Sequence, residues 1–266
     1  MQTLKATPSG RAIRRIVLEQ SKRAGVGHIG SALSIADIVA CLYGGVLRVA
    51  RPDDPDRDRF ILSKGHAALA LYAALHLRGW LSAAEVQTFC SDGSALGVHP
   101  ERTVTGIDFS TGSLGLGLCL GTGAALAARL QASARRVFVL LSDAELNAGA
   151  VWEAAMFAAH HRLGQLIAIV DANGQQALGK TRDILDLEPL AARWRAFGWD
   201  THEIDGHDPG ALAALIASLD TGRGHPHAII ARTTFGKGVS YMENRIEWHY
   251  SPMSDEQFDR AMAEQG

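Results

Sequence analysis

VFVLLSDAELNAGAVWEAAMFAAHHRLGQLIAIVDANGQQALGKT, residues 137–181, is the stretch that decides the fold. Val137 to Leu141 is an apolar, partly β-branched run that ends in Ser142-Asp143. A helix-like segment carrying Trp152, Glu153 and Met156 follows. A second apolar run, Leu166 to Val170, ends in Asp171-Ala172-Asn173. Strand, helix and strand in this order form a βαβ unit, whose two strands run parallel through a right-handed crossover. Both strand ends then reach one edge of the sheet, where α/β folds bind ligands. Asp143 and Asn173 stand thirty residues apart, about one such unit. A carboxylate and an amide carbonyl are hard oxygen donors, suited to Mg²⁺ held jointly with phosphate oxygens.

The rest of the chain extends this pattern. Helical periodicity runs over 10–23, 35–47, 66–78 and 188–197. Strand-like runs cover 136–141, 165–170, 200–204 and 227–233. Alternation of this kind predicts an α/β fold, a mostly parallel sheet with helices on both faces. At 266 residues with 47% hydrophobic content, the chain suffices for one α/β domain with a sizeable core, or for two small domains. Leu114 to Leu130 is apolar but too short for a membrane span, which needs about twenty such residues. It reads as a buried helix packed closely through Gly117, Gly121 and Gly123. A net charge of −2 with scattered Lys and Arg points away from nucleic acid and anionic membranes.

Cys41, Cys90 and Cys119 form no CxxC pair and are too few for a disulfide framework. They read as small buried hydrophobes in a reducing compartment. The amino terminus has no signal pattern, so the expected location is cytoplasmic. STGSLGLG, 110–117, follows a polar loop rather than a strand, which argues against a dinucleotide fingerprint.

Taken with the metal motif, six further blocks resemble the transketolase family, in family order and across most of the chain. They are GVGHIGSALSIADI (25–38), LSKGHAALALYA (62–73), GVHPE (97–101), STGSLGLGL (110–118), AFGWDTHEIDGHD (196–208) and GKGVSYMENRIEWH (236–249). The resemblance implies the diphosphate-binding (PP-type) domain of a thiamine diphosphate enzyme over residues 1–266. It implies Asp143, Asn173 and the main-chain carbonyl of Gln175 as ligands of Mg²⁺, or of Ca²⁺ in its place. The Ala144 amide would meet a phosphate oxygen at a helix start. His66 and His249 would contact the diphosphate side. His28 and His99 would face the thiazolium carbon and the first substrate carbons, with His249 also reaching substrate and assisting proton movement. The main chain of Gly112 and Leu114 would cradle the aminopyrimidine ring. His207, in DGHD, reads as a residue that orders a turn.

Five positions depart from the family pattern. Ser142-Asp143-Ala144 stands where Gly-Asp-Gly is usual, and Ala148-Gly149 where Glu-Gly is usual. Phe235 occupies a position that some relatives give to Lys. Tyr250 replaces a usual Gly after Trp248-His249, and Ile29 a usual Pro after His28. These drifts imply an unusual acceptor or reduced activity. The pyrimidine-binding domain, which carries the activating glutamate and most sugar-phosphate arginines, has no counterpart here. The expectation is therefore one subunit of a two-chain transketolase, moving a two-carbon ketol unit from a ketose to an aldose acceptor. A separate pyrimidine-binding chain would complete an α₂β₂ assembly acting on sugars or sugar phosphates. Alternatives are another thiamine diphosphate enzyme subunit, such as one resembling deoxyxylulose phosphate synthase, or a non-catalytic regulatory homologue.

Overall fold

The computed structural model describes residues 7–222 and 224–266. Residues 1–6, where the amino-terminal reading falls, lie outside this range. In chain order come α1 (Gly10–Ala24), α2 (Ile29–Ser34), α3 (Ala36–Cys41), β1 (Arg59–Leu62), α4 (Ala68–Leu77), α5 (Ala83–Val86) and α6 (Gly117–Leu130). Then follow β2 (Val137–Ser142), α7 (Gly149–His160), β3 (Leu166–Ala172), the hairpin strands β4 (Gln175–Gln176) and β5 (Gly179–Lys180), α8 (Thr181–Leu185) and α9 (Leu190–Ala196). The chain closes with β6 (Asp200–Asp205), α10 (Pro209–Ser218), β7 (His227–Arg232) and α11 (Asp255–Glu264). The main sheet is parallel throughout, in the order β1-β2-β3-β7-β6.

Alternation along the strands sorts the core into two layers. Phe138, Leu140, Ile167, Ile169 and Ile229 face α1, α3, α4 and α10 through Val17, Ile38, Leu71 and Ile216. Val137, Val139, Leu141, Ala168 and Ile230 face α6, α7 and α9 through Leu118, Ala155 and Trp194. Burial on both faces explains why β2 and β3 read as continuous apolar runs. Local signals set the helix ends: Ser9 accepts the Ala12 amide at 3.2 Å, and Gly25 closes α1 at φ 63°.

The structure departs from the expected elements in four places. The helix expected over 35–47 is α3 followed by a π-type turn, Leu42–Val46, in which Gly45 is non-helical at φ 165°. Strand β1 is short and follows a charged turn, which hides it from periodicity. Only Cys41 is buried; Cys90 and Cys119 are partly exposed, and burial raises the pKa of all three thiols. Of the three α6 glycines, Gly117 and Gly121 lie against Ser63 and Val139, but a Cβ on Gly123 would meet nothing within 4 Å.

That last difference yields a paired prediction. Gly121→Ala presses a methyl into Val139 and lowers unfolding free energy by about 1–3 kcal/mol. Gly123→Ala, on an exposed helical position, raises it by up to ~1 kcal/mol. Urea denaturation midpoints of the two variants should move in opposite directions.

Candidate functional site

Four strand ends meet at one edge of the sheet. Ser142 pairs in register with Asp171, and Asp171 with Ala231, so Asp143 follows one step beyond that level. The β1 end joins this edge through the Ser63 amide, which donates to the Leu140 carbonyl at 2.9 Å. Lys64 and Asp171 are both fully buried and form an ion pair at 2.5 Å. Lys64 Nζ also donates to the Ser31 carbonyl at 3.2 Å. Asp171 accepts further hydrogen bonds from Ser34 Oγ at 2.7 Å, Asn173 Nδ2 at 2.8 Å and Thr233 Oγ1. Segments following β1, β3 and β7 are thus tied to α2 by one buried carboxylate.

Asp143 is 4% exposed. Its Oδ1 accepts the Ala144 amide at 2.8 Å; its Oδ2 accepts the Gly174 amide at 2.8 Å and Thr181 Oγ1 at 3.1 Å. Burial, and then the nearby Asp171 charge, push the Asp143 carboxyl up to about 6. Asn173 gives its Nδ2 to Asp171, which turns its Oδ1 towards Gln175, whose amide donates to it at 2.9 Å. Asp143, Asn173, Gln175 and Thr181 line one cleft of about 500 Å³. Glu145, also buried, accepts hydrogen bonds from Ser63 Oγ and from the Gly115 amide at 2.7 Å, fixing the loop that carries Gly112 and Leu114.

Three histidines cluster beside this edge. The rings of His28, His66 and His249 lie 5.0–5.7 Å apart by centroid. His28 sits at φ 62° ahead of α2, its amide bonded to the His249 carbonyl at 3.2 Å. His66 Nε2 lies 2.7 Å from Ser31 Oγ. The Nδ1 atoms of His28 and His249 are buried without a partner. Burial lowers all three pKa values, helped by His99 at His28, by Lys64 at His66 and by His28 at His249. His249 falls to about 4, so its ring is neutral at pH 7. His99 and Gly112 line a second cleft of about 690 Å³; a Cβ on Gly112 would lie 3.0 Å from the His99 ring.

Comparison with known proteins decides among the readings. Residues 7–266 match the sequence profile described as transketolase, thiamine diphosphate binding domain. The chain belongs to the transketolase family. It is 39% identical to an apulose-4-phosphate transketolase subunit of Phocaeicola vulgatus, over 94% of this chain and 90% of that protein. It is also 39% identical to a 6-deoxy-6-sulfo-D-fructose transketolase subunit of a Clostridium species, over 95% and 93%. Among solved structures, the Campylobacter jejuni transketolase superposes with a TM-score of 0.91 at 28% identity. That match covers all of this chain and 43% of the other. The Leishmania mexicana enzyme gives 0.90 at 30% identity, covering 97% and 40%. This chain is a thiamine diphosphate-binding, transketolase-type transferase subunit.

Within this transketolase chain, Asp143, Asn173 and the Gln175 main chain meet at the sheet edge, and His28, His66 and His249 meet beside it. His99 and Gly112 fall on the second cleft, and Leu114 is 45% exposed in the loop ahead of α6. The Ala144 amide opens a four-residue 3₁₀ turn, Ala144–Asn147, while α7 starts only at Gly149. The dipole expected at Ala144 is therefore small. His207 does order its turn, its amide donating to Asp205 Oδ1 at 2.8 Å. In addition, its Nε2 accepts the Thr234 amide at 2.8 Å, so Nδ1 carries the proton toward Asp37, 2.8 Å away. Sequence reading missed Lys64, Asp171, Ser31, Ser34, Thr181, Thr233 and Glu145. The available signal was a charge at the end of an apolar run, directly after it at Asp171 and one residue beyond it at Lys64.

The donor set fits a hard cation. It is all oxygen, and its one carboxylate is buried beside another carboxylate, an arrangement that a divalent ion relieves. Among the described residues, no group of three His, Cys, Asp or Glu side chains forms a metal site, so a cation held here would need amide and phosphate oxygens to complete its shell. No described helix is long and apolar enough to cross a membrane.

Two predictions follow from these electrostatics. Lys64→Met leaves Asp171 buried without its cation and costs about 3–5 kcal/mol of stability, whereas Lys64→Met with Asp171→Leu costs less. Denaturant titration of both variants measures this. The Asp143 carboxyl, raised from 3.8 to about 6, favours the protonated fold. Its contribution is full below 3.8 and is lost as pH rises through about 6, a change of roughly 3 kcal/mol. The neutral histidines act in the opposite sense, since acid protonates them preferentially in the unfolded chain. Stability of wild type minus that of Asp143→Asn, from pH 4 to 8 without divalent ions, isolates the Asp143 effect and should fall with pH.

Proposed function

We propose that this chain is the diphosphate-binding half of a two-chain transketolase. It would hold thiamine diphosphate through Mg²⁺ and work with a separate pyrimidine-binding subunit in an α₂β₂ assembly. The observation that carries this reading is one sheet edge bearing both a buried oxygen donor pair, Asp143 and Asn173, and three neutral histidines 5.0–5.7 Å apart. Asp143, Asn173 and the Gln175 carbonyl would hold Mg²⁺, with Ca²⁺ as a substitute. His66 and His249 would steady the diphosphate side, the Ala144 amide would turn to a phosphate oxygen, and the Gly112 and Leu114 main chain would hold the aminopyrimidine.

Thiamine diphosphate, when bound, supplies the nucleophilic carbon that carries the two-carbon unit. The chain's own residues bind, orient and shift protons around it. An imidazole can donate a hydrogen bond from a ring N–H, so His28 and His99 suit the hydroxyl and carbonyl oxygens of a ketose. The buried, unpartnered Nδ1 atoms of His28 and His249 leave hydrogen-bonding capacity for such a substrate. With its pKa lowered to about 4, His249 is neutral at pH 7 and meets substrate as a hydrogen-bond donor and acceptor rather than as an imidazolium.

The subunit names of the relatives support a separate partner. By their names those relatives act on apulose 4-phosphate and 6-deoxy-6-sulfo-D-fructose. A ketose with an anionic tail is accordingly the substrate class we assign here, with an aldose or aldose phosphate as acceptor. The three dispersed cysteines support a cytoplasmic site of action.

Calorimetric titration of thiamine diphosphate with Mg²⁺, on the chain alone and with its pyrimidine-binding partner, tests the reading. Affinity should rise with the partner and fall at least about a hundredfold in Asp143→Ala, beyond what loss of a mere supporting residue removes. Folded protein that binds no cofactor in either preparation would sink the proposal.

A further inference from the structure

Tyr250 stands where the family usually has a glycine, and its side chain crosses between two parts of the site. At one end its ring lies 4.9 Å from that of His249, tilted by 45°. At the other, its hydroxyl donates to the Ala177 carbonyl at 2.8 Å. Ala177 belongs to the β4–β5 hairpin, which hangs directly from Asn173 at the cation end. A second tie, from Gln175 Nε2 to the Asn244 carbonyl at 3.3 Å, holds the same hairpin against the 236–249 segment. The Tyr250 backbone is seated too: a Cβ on Gly27 would lie 2.5 Å from its carbonyl oxygen. The residue is nevertheless 59% exposed, with its hydroxyl already satisfied. A glycine here has no side chain and leaves this span open.

We propose that Tyr250 is a specificity-determining residue, an added aromatic wall that limits the bulk of the sugar chain beyond the two carbons being transferred. The proposal rests on the ketol-transfer reading above. An aromatic face with its hydroxyl committed elsewhere offers flat apolar surface, which suits the C–H side of a sugar and excludes bulky substituents. The wall stays in place because it is anchored at both ends, by its own backbone seated against Gly27 and by its hydroxyl on the Ala177 carbonyl.

The test uses the chain assembled with its pyrimidine-binding partner, thiamine diphosphate and Mg²⁺. With one ketose donor, kcat/KM is measured for unphosphorylated aldehyde acceptors of two, three and five carbons, in wild type, Tyr250→Gly and Tyr250→Phe. In Tyr250→Gly the five-carbon to two-carbon ratio should rise about tenfold or more, the scale that one pocket wall supplies. Tyr250→Phe keeps the ring and should shift the ratio less. Thiamine diphosphate affinity, followed by calorimetry, should hold in both variants. A ratio unchanged in Tyr250→Gly overturns the proposal. So does a uniform fall for all acceptors with weakened cofactor binding, which would make Tyr250 a structural support. If the wild-type assembly transfers no ketol unit to any acceptor, the underlying reading fails and the proposal with it.

Discussion

The buried Lys64–Asp171 ion pair is the constraint on which the site depends. Both side chains are fully buried. Replacement of such a pair by well-packed apolar residues is often neutral or stabilising, so the pair is poorly explained by stability alone. Its geometry explains it better. Asp171 gathers Lys64 from beyond β1, Ser34 from α2, Asn173 from beyond β3 and Thr233 from beyond β7. Lys64 in turn holds the Ser31 carbonyl, and Ser31 Oγ meets His66. Orientation of Asn173 at the cation end and of His66 at the histidine end therefore trace to the same two charges.

Those charges also set the character of the cleft. Asp143 and Asp171 bring two carboxylates, and Lys64 returns one positive charge. Burial of Asp143, and then the nearby Asp171 charge, push its carboxyl up to about 6. Glu145 adds a third buried carboxylate, whose oxygens accept hydrogen bonds from Ser63, Gly115 and Ser142. A divalent cation beside Asp143 would remove the cost that burial imposes, and its binding would then be coupled to ionisation of the carboxyl.

Legibility in the sequence followed the reach of each signal. β2, α7 and β3 are plain because strands buried on both faces are apolar without a break, and because Asp143 and Asn173 mark their ends. β1 was hidden, since four residues behind a charged turn carry no period. The bend at Leu42–Val46 was hidden because Gly44 and Gly45 sit inside an otherwise helical pattern. The histidines were legible through family blocks, not through chemistry, for nothing local distinguishes His28 from His160. Lys64 and Asp171 lie 107 positions apart, and only parallel pairing through β2 brings them together. Pairing of that kind leaves no trace in a linear pattern, which is why the most constraining contact was the least visible.

Phe235 and Tyr250, two of the departures from the family pattern, both pack on His249. A lysine at 235 would act on the site through charge. Phe235 is instead buried and stacks on His249 at 6.2 Å, nearly parallel at 7°, with Gly30 against its edge. Such ring pairs contribute about 0.5–1.5 kcal/mol and, unlike a surface charge, do not weaken with salt. Tyr250 meets the same imidazole from another direction. His249 Nδ1 has no hydrogen-bond partner, so packing against Phe235, Tyr250, His28 and His66 is what orients the ring. An imidazole held by packing keeps its nitrogen atoms free for substrate. It gives up the fine control of tautomer that a hydrogen-bonded partner would impose.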